Sequence, residues 1–78
     1  MADSQTSKLL LLMRHAHAVE YAPGKTDFER PLSDTGRSQA TQAGAYLLEQ
    51  RVIPHAMVCS AALRAAETAE LLELPCPI

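Results

Sequence analysis

Arg14 and His15 stand side by side directly after an unbroken apolar run, Leu9-Leu10-Leu11-Leu12-Met13, with no spacer. Arginine offers a planar fork of donors that matches phosphoryl oxygens and keeps its charge at any working pH. A neutral imidazole can attack phosphorus and form a phosphoramidate, so that one hard displacement becomes two easier ones. The pair therefore suits an anion bound by Arg14 and chemistry carried by His15. Taken alone, it suits a polar end to a buried strand equally well. A second group lies further on, where Ser60 and Arg64 bracket Ala61-Ala62-Leu63. By itself this stretch reads more simply as a capped helix with a solvated arginine. Beside Arg14 and His15 it supplies a further guanidinium, and phosphoryl transfer rests largely on positioning and on positive donors around the phosphorus.

The elements that must position these residues follow from patterning. Residues 8–14 read as a first strand, apolar on both sides and so buried on both faces. A polar leader, expected to be disordered, covers residues 1–7. A polar loop over 15–32 holds the turn signal Pro23-Gly24 and the extended pair Arg30-Pro31. Ser33 or Asp34 then caps a helix over about 34–50, with Ala40, Ala43, Gly44, Leu47 and Leu48 on one face. Gly36 and Gly44 inside it suggest close packing. Arg51 is placed favourably at its carboxyl end, and Pro54 cannot continue it. A second strand over 56–59 leads to Ser60, which caps a second helix over about 61–73. The order β-α-β-α implies a parallel sheet with right-handed crossovers. Both strands then end at one edge, where Arg14, His15, Ser60 and Arg64 could share a pocket at a helix N-terminus, a setting that favours anions.

Composition bounds the rest. Seventy-eight residues allow one small domain at most. Cys59 and Cys76 are too few for a disulfide scaffold and suggest free thiols in a reducing cytosol. The five-residue apolar run is far short of a membrane span and short for a signal-peptide core. A net charge of −2, three aromatic residues and the lack of a basic block give no support for nucleic-acid binding. The chain ends at Leu74-Pro75-Cys76-Pro77-Ile78, where a βα protein would be expected to continue. It reads as the first part of a larger domain or as a truncated product.

Three segments resemble one known family. Met13-Arg14-His15-Ala16 resembles the R-H-G signature of the histidine phosphatase superfamily, the phosphoglycerate mutase-like fold. The stretch Arg30-Pro31-Leu32-Ser33-Asp34-Thr35-Gly36-Arg37-Ser38-Gln39-Ala40 resembles its R-P-L-[ST]-x-x-G-x-x-Q-A segment. Ser60, Arg64, Ala65 and Thr68 match its S-x-x-x-R-[AT]-x-x-T segment. A lone R-H pair is a weak signal; the three together, in order and spanning about residues 10–72, are specific. The short first loop and the R-P-L form are most similar to the small bacterial phosphohistidine phosphatases. The resemblance implies an α/β fold, a parallel-sheet three-layer sandwich of which residues 1–78 hold only the first β-α-β-α part of a single domain. It implies a hydrolase in which His15 is the nucleophile, Arg14 and Arg64 bind the phosphoryl group with Ser60 beside them, and Thr35 and Gly36 are structural. The expected substrate is phosphohistidine on a signalling protein, in the cytoplasm, with no cofactor or metal and with neither nucleic acid nor membrane as partner. The alternatives are a small phosphorylated metabolite as substrate, or a non-catalytic phosphate-binding fragment.

The sequence also departs from the family. Ala16 stands where the family has glycine, and the asparagine often found soon after is missing. The family's second histidine, late in the chain, has no counterpart here: His17 follows His15 too closely, and His55 precedes the second strand. These residues are therefore expected to hold about half of a site and, on their own, to have little or no phosphatase activity. Glu20 and Asp27 lie in the loop after His15 and could serve as an acid, although solvated loop carboxylates are the simpler reading. A phosphohistidine substrate expels an imidazole, which protonates near neutral pH and needs less help from an acid than an alkoxide does. Cys59 and Arg64 invite comparison with thiol phosphatases, but four residues separate them rather than five, and the stretch lacks glycine. His15 and His17 as a metal pair lack further ligands at sensible spacing.

Overall fold

The computed structural model describes residues 10–20 and 23–78. The leader expected over 1–7 and the start of the first strand lie outside the described residues. Among the described residues three elements are present: a 3₁₀ turn Asp27–Glu29, helix α1 Asp34–Glu49 and helix α2 Leu63–Leu72.

α1 begins where the sequence places it. The Ser33 side chain accepts a hydrogen bond from the Gly36 amide and so caps one of the free N–H groups of the first turn. At the other end, Arg51 takes φ 60, its amide donates to the Leu48 carbonyl, and the Val52 amide donates to Leu47. This is a Schellman closure with arginine where glycine is commonest, at the steric cost a Cβ brings to the left-handed region. α1 is one residue shorter than expected.

α2 differs more. A helix opening at Ser60 was expected, but α2 starts at Leu63, and Ala62 caps it without a side-chain bond. The Ser60 hydroxyl instead accepts from the Ala62 amide at 3.1 Å. A serine oxygen that satisfies the amide two residues on forms a local turn and competes with helix initiation. At the far end Glu73, at φ 51, closes the helix with its amide on the Glu70 carbonyl.

The two helices pack through small residues. Gly36, Ala40 and Gly44 are the buried positions of α1; Thr68, Ala69 and Leu72 are those of α2. A Cβ on Gly44 would overlap the Leu72 backbone, and one on Gly36 would overlap the His17 carbonyl. Glycine at both positions is required by close approach, as its placement on the apolar face suggested.

The expected strands form no ladder among the described residues. A β-strand is defined by the hydrogen bonds of its neighbours, and a strand buried on both faces needs pairing on its edges as well as cover. Residues 10–14 have neither: Leu10 and Leu12 are 85% and 84% exposed. In the segment 56–59, Val58 is 97% exposed, and one main-chain bond links it elsewhere, from the Met57 amide to the Pro77 carbonyl at 2.8 Å. The only pairing is an isolated antiparallel bridge, among the described residues, between Ala18 and Leu32. No helix among the described residues is long and apolar enough to cross a membrane.

Candidate active site

The His15 segment is pinned by its backbone. The Ala16 amide donates to Thr68 Oγ1 at 3.0 Å, and Thr68 Oγ1 donates to the Arg64 carbonyl at 2.7 Å, so α2 holds one side. The His17 amide donates to Gln39 Oε1 at 3.1 Å, so α1 holds the next residue. The His17 carbonyl accepts from the Ser33 amide at 3.0 Å and from the Ser33 hydroxyl at 3.1 Å. The Val19 amide donates to the Pro31 carbonyl, alongside the Ala18–Leu32 bridge. Four successive residues, 16–19, are thus fixed by α1, α2 and the 30–33 segment.

This anchoring sets the chemistry of His15. Its Nδ1 lies 2.7 Å from its neighbour's carbonyl, Ala16 O. A carbonyl only accepts, so Nδ1 carries the proton. In a neutral ring the lone pair then sits on Nε2, the nitrogen turned away from the anchor.

His15 lines a cavity of about 460 Å³ together with Arg14, Ala16, His17, Ala18 and Arg30. His15 and Arg30 are half-buried and Arg14 is exposed. The structure therefore brings Arg14 and His15 to one concave surface, and adds Arg30. Arg30 Nε donates to Asp27 Oδ1 at 2.9 Å and Nη1 donates to the Val19 carbonyl at 2.8 Å. Ser60 and Arg64 do not line this cavity. Arg64 turns to the 3₁₀ turn, with Nη1 on the Asp27 carbonyl at 2.9 Å and Nη2 on Asp27 Oδ2 at 3.3 Å. Asp27 is thus shared by two guanidiniums.

Other groups singled out from the sequence lie outside the lining. Cys59 is exposed and free. Glu20 is exposed. Glu29 caps the 3₁₀ turn, and the Thr26 amide that donates to it at 2.9 Å, followed by the Thr26 hydroxyl, holds its carboxyl below the usual carboxylate range. No group of three or more His, Cys, Asp or Glu among the described residues could hold a metal ion.

Sequence reasoning named Arg30, Gln39 and Thr68 only as motif positions and Asp27 only as a loop carboxylate, and gave no anchoring role to them or to Glu67. A signal was present for two of them. Gln39 follows Gly36 by three positions and Thr68 follows Arg64 by four, so each lies on the helix face of a residue already singled out. Glu67 accepts from the Leu32 amide at 2.8 Å and stands 3.6 Å from Arg37, joining α2 to α1 and to the segment before it.

The histidine phosphatase superfamily (branch 1) matches residues 10–78. The chain belongs to this superfamily. An uncharacterized chloroplastic protein of Arabidopsis thaliana is 33% identical over 71 residues, 91% of this chain and 33% of that protein. The SixA structure from Agrobacterium tumefaciens matches with a TM-score of 0.77 and 28% identity, over 85% of this chain and 45% of that one. The SixA structure from Nakamurella multipartitia matches with a TM-score of 0.67 and 34% identity, over 85% and 37% respectively. The protein histidine phosphatase SixA in complex with tungstate matches with a TM-score of 0.67 and 31% identity, over 81% and 42%. The chain thus has the histidine phosphatase fold over the part matched, and it spans a third to just under half of these relatives.

Proposed function

We propose that the protein carrying this chain is a phosphohistidine phosphatase that works through a phosphorylated His15. The observation that carries this reading is the fixed tautomer of His15 beside Arg14 at the cavity, in a chain of the histidine phosphatase superfamily. The likeness to SixA structures, one of them holding the phosphate-like tungstate ion, supports the choice of substrate class.

The reaction takes two displacements. The Nε2 lone pair of His15 attacks the phosphorus of a phosphohistidine. A new N–P bond forms as the substrate's own N–P bond breaks, and the departing imidazole takes up a proton. Water then attacks the phosphorus of phospho-His15, releasing inorganic phosphate and restoring the free imidazole. Arg14 neutralises the equatorial oxygens. The family resemblance also gives Arg64 and Ser60 a place at the phosphoryl group; in this structure Arg64 is turned to Asp27 and neither residue lines the cavity. Each charge-assisted bond to those oxygens counts most in the transition state, where their charge is redistributed.

A phosphohistidine-bearing protein and a small phosphomonoester, offered to the intact protein, test this reading. Release of phosphate from the first at a kcat/KM at least tenfold above the second is expected, lost in His15→Ala and kept in Cys59→Ser. Preference for the small ester would move the substrate to phosphorylated metabolites. Loss of activity in Cys59→Ser with activity kept in His15→Ala would replace the histidine with the thiol. Oxyanion binding with no turnover of either substrate would favour a non-catalytic phosphate-binding role.

A further inference from the structure

Among the described residues lining the His15 cavity, Arg30 is the one arginine besides Arg14. Its guanidinium is held from two directions. Nε donates to the Asp27 carboxylate and Nη1 to the Val19 carbonyl. Guanidinium carries five N–H donors in a rigid fork, and the two bonds use the Nε edge and one Nη1 hydrogen. Among the described residues, the Nη2 hydrogens have no acceptor. A planar group clamped through Nε and Nη1 is pre-organised to donate from Nη2, with less rotamer freedom to lose on binding.

Charge points the same way. Among the described residues, Asp27 carries the only carboxylate bonded to Arg30 and shares it with Arg64 at 3.3 Å. Two guanidiniums against one carboxylate leave a net positive charge on this group. Arg14 adds a further one on the cavity wall, and among the described residues no acidic one lines the cavity. An arginine present only to tie the loop to Asp27 would not need to border the cavity.

We propose that Arg30 is a substrate-binding residue, donating through its uncommitted Nη2 to an oxygen of the phosphoryl group bound at His15, and that Asp27 is the positioning residue that aims it. This rests on the phosphatase reading above and adds a second cavity-lining guanidinium to Arg14. The substrate's phosphoryl dianion then meets positive charge from both ends of the 14–18 segment rather than from Arg14 alone.

Tungstate and inorganic phosphate binding to the intact protein, with steady-state kinetics, tests the proposal. Arg30→Gln is expected to weaken tungstate binding roughly 10- to 100-fold, the range for losing one charge-assisted hydrogen bond. Arg30→Lys, which keeps the charge and loses the fork, should fall between it and the parent. Asp27→Asn should raise KM for the phosphohistidine substrate with a smaller change in kcat, at an unchanged melting temperature. Tungstate binding by Arg30→Gln within twofold of the parent would overturn the role of Arg30 while leaving the phosphatase reading intact. A parent protein that neither binds tungstate nor releases phosphate would overturn both. If Arg30→Gln fails to fold, Arg30→Lys decides: weaker binding at an unchanged melting temperature supports the proposal, and unchanged binding overturns it.

Discussion

Thr68 is the joint through which α2 fixes the reactive segment, and replacing it by valine isolates that function. Thr68 is 6% exposed. Its hydroxyl accepts from the Ala16 amide at 3.0 Å and donates to the Arg64 carbonyl at 2.7 Å. Valine keeps the shape and removes one polar atom. The Arg64 carbonyl lies inside α2 and keeps its helical partner, so its loss is small. The Ala16 amide has no other acceptor among the described residues. A buried donor left unpaired costs roughly 1–3 kcal/mol. Ala16 is only half-buried, so water can recover part of this, which places the expected loss at about 1–2 kcal/mol. At 1.4 kcal/mol per tenfold, that is a roughly 5- to 30-fold lower ratio of folded to unfolded protein. Urea unfolding of the intact protein reads it directly. Ala16 adjoins His15 and its carbonyl holds Nδ1, so kcat should fall as well. Thr68→Ser restores the hydroxyl and should recover most of the rate. A Thr68→Val protein within about 0.5 kcal/mol of the parent, the range of ordinary surface substitutions, would refute this account of how His15 is held.

Three further outcomes follow from the packing and the site. Gly44→Ala drives a Cβ into the Leu72 backbone and should cost roughly 1–3 kcal/mol despite alanine's better helix propensity; an unchanged melting temperature would contradict the close helix contact. Ser33→Ala removes the α1 cap and a donor to the His17 carbonyl, with a loss of about 1 kcal/mol by urea unfolding, of which Ser33→Asp should recover the capping share. The 78 residues on their own should hydrolyse a phosphomonoester far more slowly than an intact SixA-type relative, because they contain no histidine suited to the second phosphoryl contact; turnover at comparable rates would contradict this.

The helices, and the meeting of Arg14 and His15 at one cavity, were legible because each rests on local chemistry. Ser33 caps α1 from a position three residues before Gly36, and a run of small residues marks the face that meets α2. Gly44 could be read as a packing glycine because a helix interior disfavours glycine unless something must come near. The strands were not legible in the same way. An apolar run such as Leu9 to Met13 records a preference for burial, but a strand exists only when a neighbour supplies its hydrogen bonds, and among the described residues of this run none does. The start of α2 was misplaced because a serine hydroxyl serves a local turn as readily as a helix cap. Arg64 shows the limit most clearly. Its type and spacing suit a phosphoryl ligand, yet its placement depends on Asp27, 37 residues away in sequence, and no local pattern reports that pairing. The anchoring roles of Gln39 and Thr68, both quoted as motif positions, were hidden for the same reason, since each acts on a backbone amide of a distant segment.

The claim that His15 is the nucleophile is tested most directly by trapping the intermediate. The intact protein is mixed with a ³²P-labelled phosphohistidine substrate, quenched within the first turnover, and digested for peptide mapping. Label on the peptide bearing His15, lost in acid, stable in base and missing from His15→Ala, is the predicted result. Label on Cys59 or on a serine, or label that persists at full level in His15→Ala, would contradict the account.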